Sequence, residues 1–209
     1  MAQILKLPVQ ASKLGYKRVR RRVQAPDPNQ LDLFPQSCAQ ILDFVPPDFG
    51  LFEQALMWDE RGDPKAAELY ARAIDQEDCV ADSFCNLGII ESQEGNTIKA
   101  FDCFTTCLKH NPRHSEAHYN LGNLYFDQND FRLAQLHFEM STTLEPSFAN
   151  AFFNLALVLA INNDFAAAMR ALRQYEQLVP EDDRQIASDL FETLKKSLLA
   201  AKNSRVGAT

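Results

Sequence analysis

Thirty-four residues, Ser115 to Phe148, constrain the whole chain. Small and apolar side chains recur there at helical spacing in two blocks. Leu121, Gly122, Tyr125 and Phe126 form the first, and Leu133, Ala134, Phe138 and Leu144 the second. Residues three and four apart share a helix face, so the spacing predicts two amphipathic helices. Asn129 and Asp130 suit the tight turn between them. Pro146 ends the second helix, because it has no N–H for the next backbone bond.

The pattern returns 34 residues earlier and 34 later. Gly88, Gly122 and Ala156 keep that spacing; so do Ala100, Ala134 and Ala168, then Phe104, Phe138 and Leu172, then Pro112, Pro146 and Pro180. A fifth column is Asn86, Asn120 and Asn154. Two helices approach closely only where a side chain is nearly absent, and Gly or Ala supplies that. A 34-residue period with these columns resembles the tetratricopeptide repeat (TPR). The resemblance covers about residues 48–182 and implies an all-α fold, a TPR superhelix, which is an α-solenoid of helix-turn-helix repeats.

Four repeats are expected, at 48–80, 81–114, 115–148 and 149–182, giving eight helices. The first is one residue short, between Gly62 and Ala66. Asp48 is placed to cap its first helix. Glu91 stands where the pattern usually has an aromatic residue, which predicts looser packing there. Residues 183–203 read as a capping helix with Ile186, Leu190, Phe191, Leu194 and Leu198 on one face, covering the last repeat. Residues 204–209 read as a frayed tail.

Hydrophobic content of 46% and charged content of 23% are ordinary for a globular chain. No apolar run approaches the roughly 18 residues of a membrane span. The N-terminus is interrupted at Lys6 and Pro8 and lacks a secretory pattern, so a cytoplasmic location is expected. Five cysteines, an odd number without framework spacing, read as reduced thiols.

Residues 1–47 differ from the rest. Lys6, Lys13, Lys17, Arg18, Arg20, Arg21 and Arg22 all precede the first acid, Asp27, and residues 1–50 carry a net +3 in a chain of net −7. Six prolines work against regular structure. The segment reads as a basic, Pro-containing, largely disordered arm. Lys17, Arg18, Arg20, Arg21 and Arg22 either contact nucleic acid or an acidic protein surface, or simply solubilise the chain. Within the arm, Gln30, Leu31, Asp32, Leu33 and Phe34 resemble the pentapeptide by which bacterial replication and repair proteins bind the sliding clamp. That resemblance implies a Gln at the pocket rim and Leu and Phe inside an apolar pocket. The alternative is that Leu31, Leu33 and Phe34 strap onto the first helix.

In a TPR superhelix the first helix of each pair lines the concave side. The expected groove residues are Asn86, Ile89, Tyr119, Asn120, Asn123, Phe126, Phe153, Asn154 and Leu157. A side-chain amide both donates and accepts, so Asn86, Asn120 and Asn154 can pair with the backbone of an extended peptide without reading its sequence. This ladder is similar to that of peptide-binding members of the family. Tyr119, Phe126 and Phe153 would add selectivity. If the amides face an open groove, replacing them changes stability little; otherwise they bond water or a neighbouring helix. Chaperone-tail-binding members need Lys and Arg here, whereas Glu53 and Asp82 stand at this entrance.

The expected function is a non-catalytic scaffold or adaptor for a protein or peptide partner. The alternative is a DNA-associated accessory protein using the arm and the clamp-like pentapeptide. Cys103, Cys107, His110 and His114 have spacings that gather metal ligands, but Pro112 separates His114 from their helix, and no metal is expected. His118 and His137 read as isolated residues at the surface or between helices. No phosphate loop, nucleophile motif or metalloprotease motif is present, so neither catalysis nor a cofactor or small-molecule ligand is expected.

Overall fold

The structure is a computed structural model and describes residues 13–20 and 49–206, with side chains taken to 196. Nine α-helices follow among these residues: α1 (Leu51–Glu60), α2 (Lys65–Asp75), α3 (Val80–Gln93), α4 (Thr97–His110), α5 (Ser115–Asp127), α6 (Phe131–Leu144), α7 (Ala149–Ile161), α8 (Phe165–Leu178) and α9 (Gln185–Val206). Each helix packs chiefly on its neighbours in sequence, within a pair and between pairs, which makes a solenoid.

The repeated columns explain the pairing. A Cβ added at Gly122 would lie 2.7 Å from Phe138 Cε1, and one at Gly88 2.8 Å from Phe104 Cε1. Both rings are fully buried. The glycines therefore set how closely α5 meets α6 and α3 meets α4. The turn inside each pair needs one left-handed residue, supplied by Gly62, Gly95, Asn129 and Asn163. Gly and Asn tolerate that conformation best. Asp130 and Asp164 then cap the following helices by accepting from Leu133 N–H at 3.1 Å and Ala167 N–H at 3.0 Å.

α4, α6 and α8 stop two residues before Pro112, Pro146 and Pro180. The residue before each proline is extended, as the proline ring demands. Glu91, at the aromatic column, accepts from Asn96 Nδ2 at 2.8 Å, so a polar contact replaces ring packing there.

Asp48 lies outside the described residues. At α1, Glu53 accepts from Gly50 N–H at 2.6 Å and Asp78 from Phe52 N–H at 2.9 Å, so carboxylates satisfy two N–H groups at the positive helix end. In α9 the buried residues are Ala187, Leu190 and Leu194, with Phe191 packed beside them, while Ile186 is 52% exposed. Among the described side chains the expected face holds at Leu190, Phe191 and Leu194, and Ala187 is buried in place of Ile186. Leu198 lies outside the described side chains.

His118 of α5 and His137 of α6 lie between helices, as expected, but they meet each other rather than standing alone. Their Nδ1 atoms are 3.0 Å apart, and His118 Nε2 meets Pro112 C=O at 3.2 Å. A carbonyl only accepts, so His118 carries its proton on Nε2 and accepts on Nδ1 from His137. The His137 ring also stacks on Tyr125, centroids 5.4 Å apart. Burial holds both imidazoles below their ordinary value, and the neighbouring His118 adds to the effect on His137, which falls to about 4. The folded state therefore binds fewer protons than the unfolded state between pH 6.5 and 4. The contribution of these two histidines to stability is complete above pH 6.5 and is lost as pH falls through that window. Discounted for partial exposure, the His137 contribution is about 2 kcal/mol, or roughly 4–8 °C of melting temperature. Thermal melts between pH 7 and 4 should show this decline, and His137→Leu should flatten it. An unchanged slope in the variant would assign the decline to other groups.

Candidate functional site

The concave side is occupied by the chain's own residues Lys13–Arg20, which lie extended across α7, α5 and α3. This part of the arm, expected to be disordered, is held by the asparagine column. Asn154 Oδ1 accepts from Leu14 N–H at 2.7 Å, and its Nδ2 donates to Leu14 C=O at 2.9 Å. Asn120 does the same for Lys17, at 2.8 and 2.9 Å, and Asn86 for Val19, at 2.8 and 3.0 Å. Each rung is a two-bond amide pair of the kind that joins strands in a sheet. The arm runs opposite to the repeat order, its Leu14 on the fourth repeat and its Val19 on the second.

The three amides are fully buried. The expectation that they face an open groove is corrected by the arm covering them and by a second set of contacts beneath. Asn154 Nδ2 also meets Asn123 Oδ1 at 2.8 Å and Tyr119 Oη at 3.1 Å, and Asn86 Nδ2 meets Tyr70 Oη at 3.1 Å. Asn120 Nδ2 reaches Cys85 Sγ at 3.5 Å. The amides therefore link the arm to the helices and the helices to one another.

Side chains add contacts on both edges. Tyr119 donates toward the carbonyls of Gly15 and Leu14, at 2.7 and 2.9 Å. Val19 is buried in one cluster with Ile89, Cys85 and Phe104, where Tyr16 stacks on Phe104. Leu14 packs on the cluster that contains Phe153 and Leu157. Those two residues have no exposed surface, and Phe153 pairs its ring with Tyr175 of α8, so they belong to the core under the groove. Phe126 turns to Phe131, ring centroids 5.4 Å apart.

The charges are complementary. Arg18 Nη2 is 2.9 Å from Asp59 Oδ1, and the Asp59 side chain is only 3% exposed. Tyr70 Oη donates to the other Asp59 oxygen at 3.2 Å. Burial raises the Asp59 pKa, and Arg18 and Tyr70 pull against that rise. Lys13 Nζ lies 3.1 Å from Asp127, and Arg20 Nε 3.8 Å from Glu60. Lys17 Nζ sits 5.6 Å from the Phe148 ring centre, within reach of a cation–π contact. The exposed Arg20–Glu60 contact contributes little; the buried Asp59 is the charge that needs a cation. Arg21, Arg22 and Gln30–Phe34 lie outside the described residues.

The ligand-like residues regroup as well. Cys85, Cys107 and His114 place one candidate atom each within 4.8 Å of one another. His110 instead stacks on Phe84, centroids 5.9 Å apart, and Cys103 packs beside Gly88. His114 has both nitrogens engaged: Nδ1 accepts from Ala117 N–H at 3.1 Å and caps α5, while Nε2 meets Asp82 at 3.0 Å. Holding an ion would require His114 to release one of these bonds. Periodicity could not have joined Cys85 to Cys107, since they stand on different helices of the pair. Asp59 was also missed, and the buried side of α1 was its only signal.

Residues 86–134 and 119–183 match a tetratricopeptide repeat family model. Residues 86–183 are thus tetratricopeptide repeats. Among curated proteins it is similar to tetratricopeptide repeat protein 8 of Mus musculus, 31% identical over 107 residues, which are 51% of this chain and 21% of that protein. The chain thus spans about a fifth of that relative. Among solved structures it is similar to a tetratricopeptide repeat protein from Parabacteroides merdae (TM-score 0.59, 18% identity, covering 70% of this chain and 58% of that one). It is also similar to MamA (TM-score 0.53, 18% identity, 71% and 96%). A third is the first TPR of Spaghetti (RPAP3) bound to the HSP90 peptide SRMEEVD (TM-score 0.53, 18% identity, 57% and 93%). At these identities the structural likeness establishes the fold alone.

Proposed function

We propose that the protein is a non-catalytic scaffold whose concave groove holds an extended segment of a partner protein by its backbone. The observation that carries this is the bidentate pairing of Asn86, Asn120 and Asn154 with Leu14, Lys17 and Val19. Because the amides bond main-chain atoms, any extended segment satisfies them, and the flanking side chains select among segments.

The solved Spaghetti domain holds a peptide with three acidic residues, SRMEEVD. Here the cations of the occupant meet Asp59, Glu60 and Asp127, so an acidic tail would face like charge. No observation favours the DNA-associated alternative: Lys13, Arg18 and Arg20 are turned to carboxylates of the repeats.

The test is a displayed random-peptide library panned against the full-length protein with residues 13–20 replaced by alternating Gly and Ser. Peptides should be enriched, and Asn86→Ala, Asn120→Ala and Asn154→Ala together in that background should abolish the enrichment. Equal enrichment by both proteins, or none by either, would remove the groove reading.

A further inference from the structure

Resting on that reading, we infer that Lys13–Arg20 is the groove's resident occupant and the template of its partner. The partner is a basic, aliphatic extended segment that enters by displacing the arm.

Three features define the template. An aliphatic residue stands on the Asn154 rung and another on the Asn86 rung, where Leu14 packs on one core cluster and Val19 is buried in the next. One guanidinium reaches the buried Asp59, which needs a cation once it is ionised. The backbone direction is fixed by the side-chain contacts rather than by the amides, because an amide pair works in either direction. Arg18 meets α1, and Lys13 meets Asp127 at the end of α5. A segment entering in the opposite direction would put its guanidinium far from Asp59.

The occupant is replaceable. Among the described residues its backbone bonds are the six amide contacts and the two Tyr119 contacts, and any extended chain remakes all of them. Gly15, Lys17 and Arg20 are exposed although they lie within the groove segment, so the arm fills the floor and leaves its rim open. Residues 21–48 join Arg20 to Phe49 in one chain, so the arm meets the groove as an intramolecular segment. An intramolecular segment has an effective concentration on the order of millimolar. A free segment with micromolar affinity for the empty groove therefore binds the intact protein about a thousandfold more weakly.

The probe is a fluorescent peptide of residues 11–22, titrated into the full-length wild type and into the full-length Gly-Ser variant of residues 13–20. The variant should bind the peptide about a thousandfold more tightly than wild type. The same peptide with Arg18→Glu should lose at least tenfold on the variant. Equal binding to both proteins would overturn resident occupancy while leaving the groove reading intact. No binding to a variant that melts cooperatively would overturn both. Undiminished binding of the Arg18→Glu peptide would overturn the basic template. A wild type that is dimeric by light scattering, against a monomeric variant, would make the occupant a second copy's arm and overturn displacement within one chain. If the variant does not fold, wild type alone decides. Excess unlabelled peptide at millimolar concentration should speed hydrogen exchange at the Leu14, Lys17 and Val19 amides, and unchanged exchange would overturn the inference.

Discussion

Replacing Asn86, Asn120 and Asn154 together by Ala will detach Lys13–Arg20 from the groove and lower the melting temperature by ten degrees or more. Six hydrogen bonds join these amides to the arm. At about 1 kcal/mol net each, their loss amounts to roughly 6 kcal/mol, more than an eight-residue extended segment retains from Leu14 and Val19 alone. The loss does not stop at the arm. The Asn154–Asn123 and Asn86–Tyr70 bonds connect neighbouring helices and vanish too. Asn123 already has a buried Nδ2 without a partner among the described residues, so losing Asn154 leaves both ends of its amide unpaired. Arm release also exposes Asp59, whose cation is Arg18. Amide hydrogen exchange at Leu14, Lys17 and Val19 should rise to near that of free peptide, and thermal melts should shift down together with it. The middle rung separates pairing from packing. Asn120→Ala should speed exchange at Lys17 about thirtyfold, the equivalent of some 2 kcal/mol. Asn120→Asp should do worse, because a carboxylate still accepts from Lys17 N–H but faces Lys17 C=O with no proton to donate. Full protection of the arm in the triple variant would show that the amides do not hold it.

The repeats were legible because packing imposes a period. Gly122 opposite Phe138 and Gly88 opposite Phe104 leave the same mark in sequence every 34 residues, and so do the prolines that stop α4, α6 and α8. The ladder was legible for the same reason, since Asn86, Asn120 and Asn154 must repeat with the superhelix to reach one extended strand. Its occupant was not. An extended segment held by main-chain bonds leaves no periodic trace, and the prolines and cations around Lys13–Arg20 carry the composition of disorder. The rungs fall three and then two residues apart on the arm, at Leu14, Lys17 and Val19, so no fixed spacing marks them. Charge was the available signal: a run of cations before residue 23 and the acids Asp59, Glu60 and Asp127 on or beside first helices. Phe153 and Leu157 went to the groove for a different reason. α7 is apolar almost all round, ANAFFNLALVLAI, and a helix without a polar face does not tell its concave side from its core.

Gly122→Leu will destabilise the repeats strongly. Even the first added carbon meets Phe138 at 2.7, 2.8 and 3.2 Å, distances that side chains do not sustain. Phe138 has no room to retreat: it is fully buried and its ring lies against Tyr119, centroids 5.8 Å apart. Tyr119 in turn packs its ring at a tilt against Phe148, centroids 4.7 Å apart, and donates to the arm at Gly15. The three further carbons of Leu therefore force α5 and α6 apart, at about 3 kcal/mol or more, the upper range of overpacking. For a chain of this size that is a melting-temperature loss of roughly 6–12 °C. Gly122→Ala should cost less but still destabilise, since the clash begins at Cβ. The displacement passes through Tyr119 to the groove, so Gly122→Leu should also speed hydrogen exchange at Leu14 without any change to the asparagines. Gly15→Ala is the matched control, because a Cβ there meets nothing within 4 Å, and it should leave the melt within about 1 kcal/mol of wild type. Equal melting temperatures for wild type and Gly122→Leu would mean that α5 and α6 do not meet at Gly122.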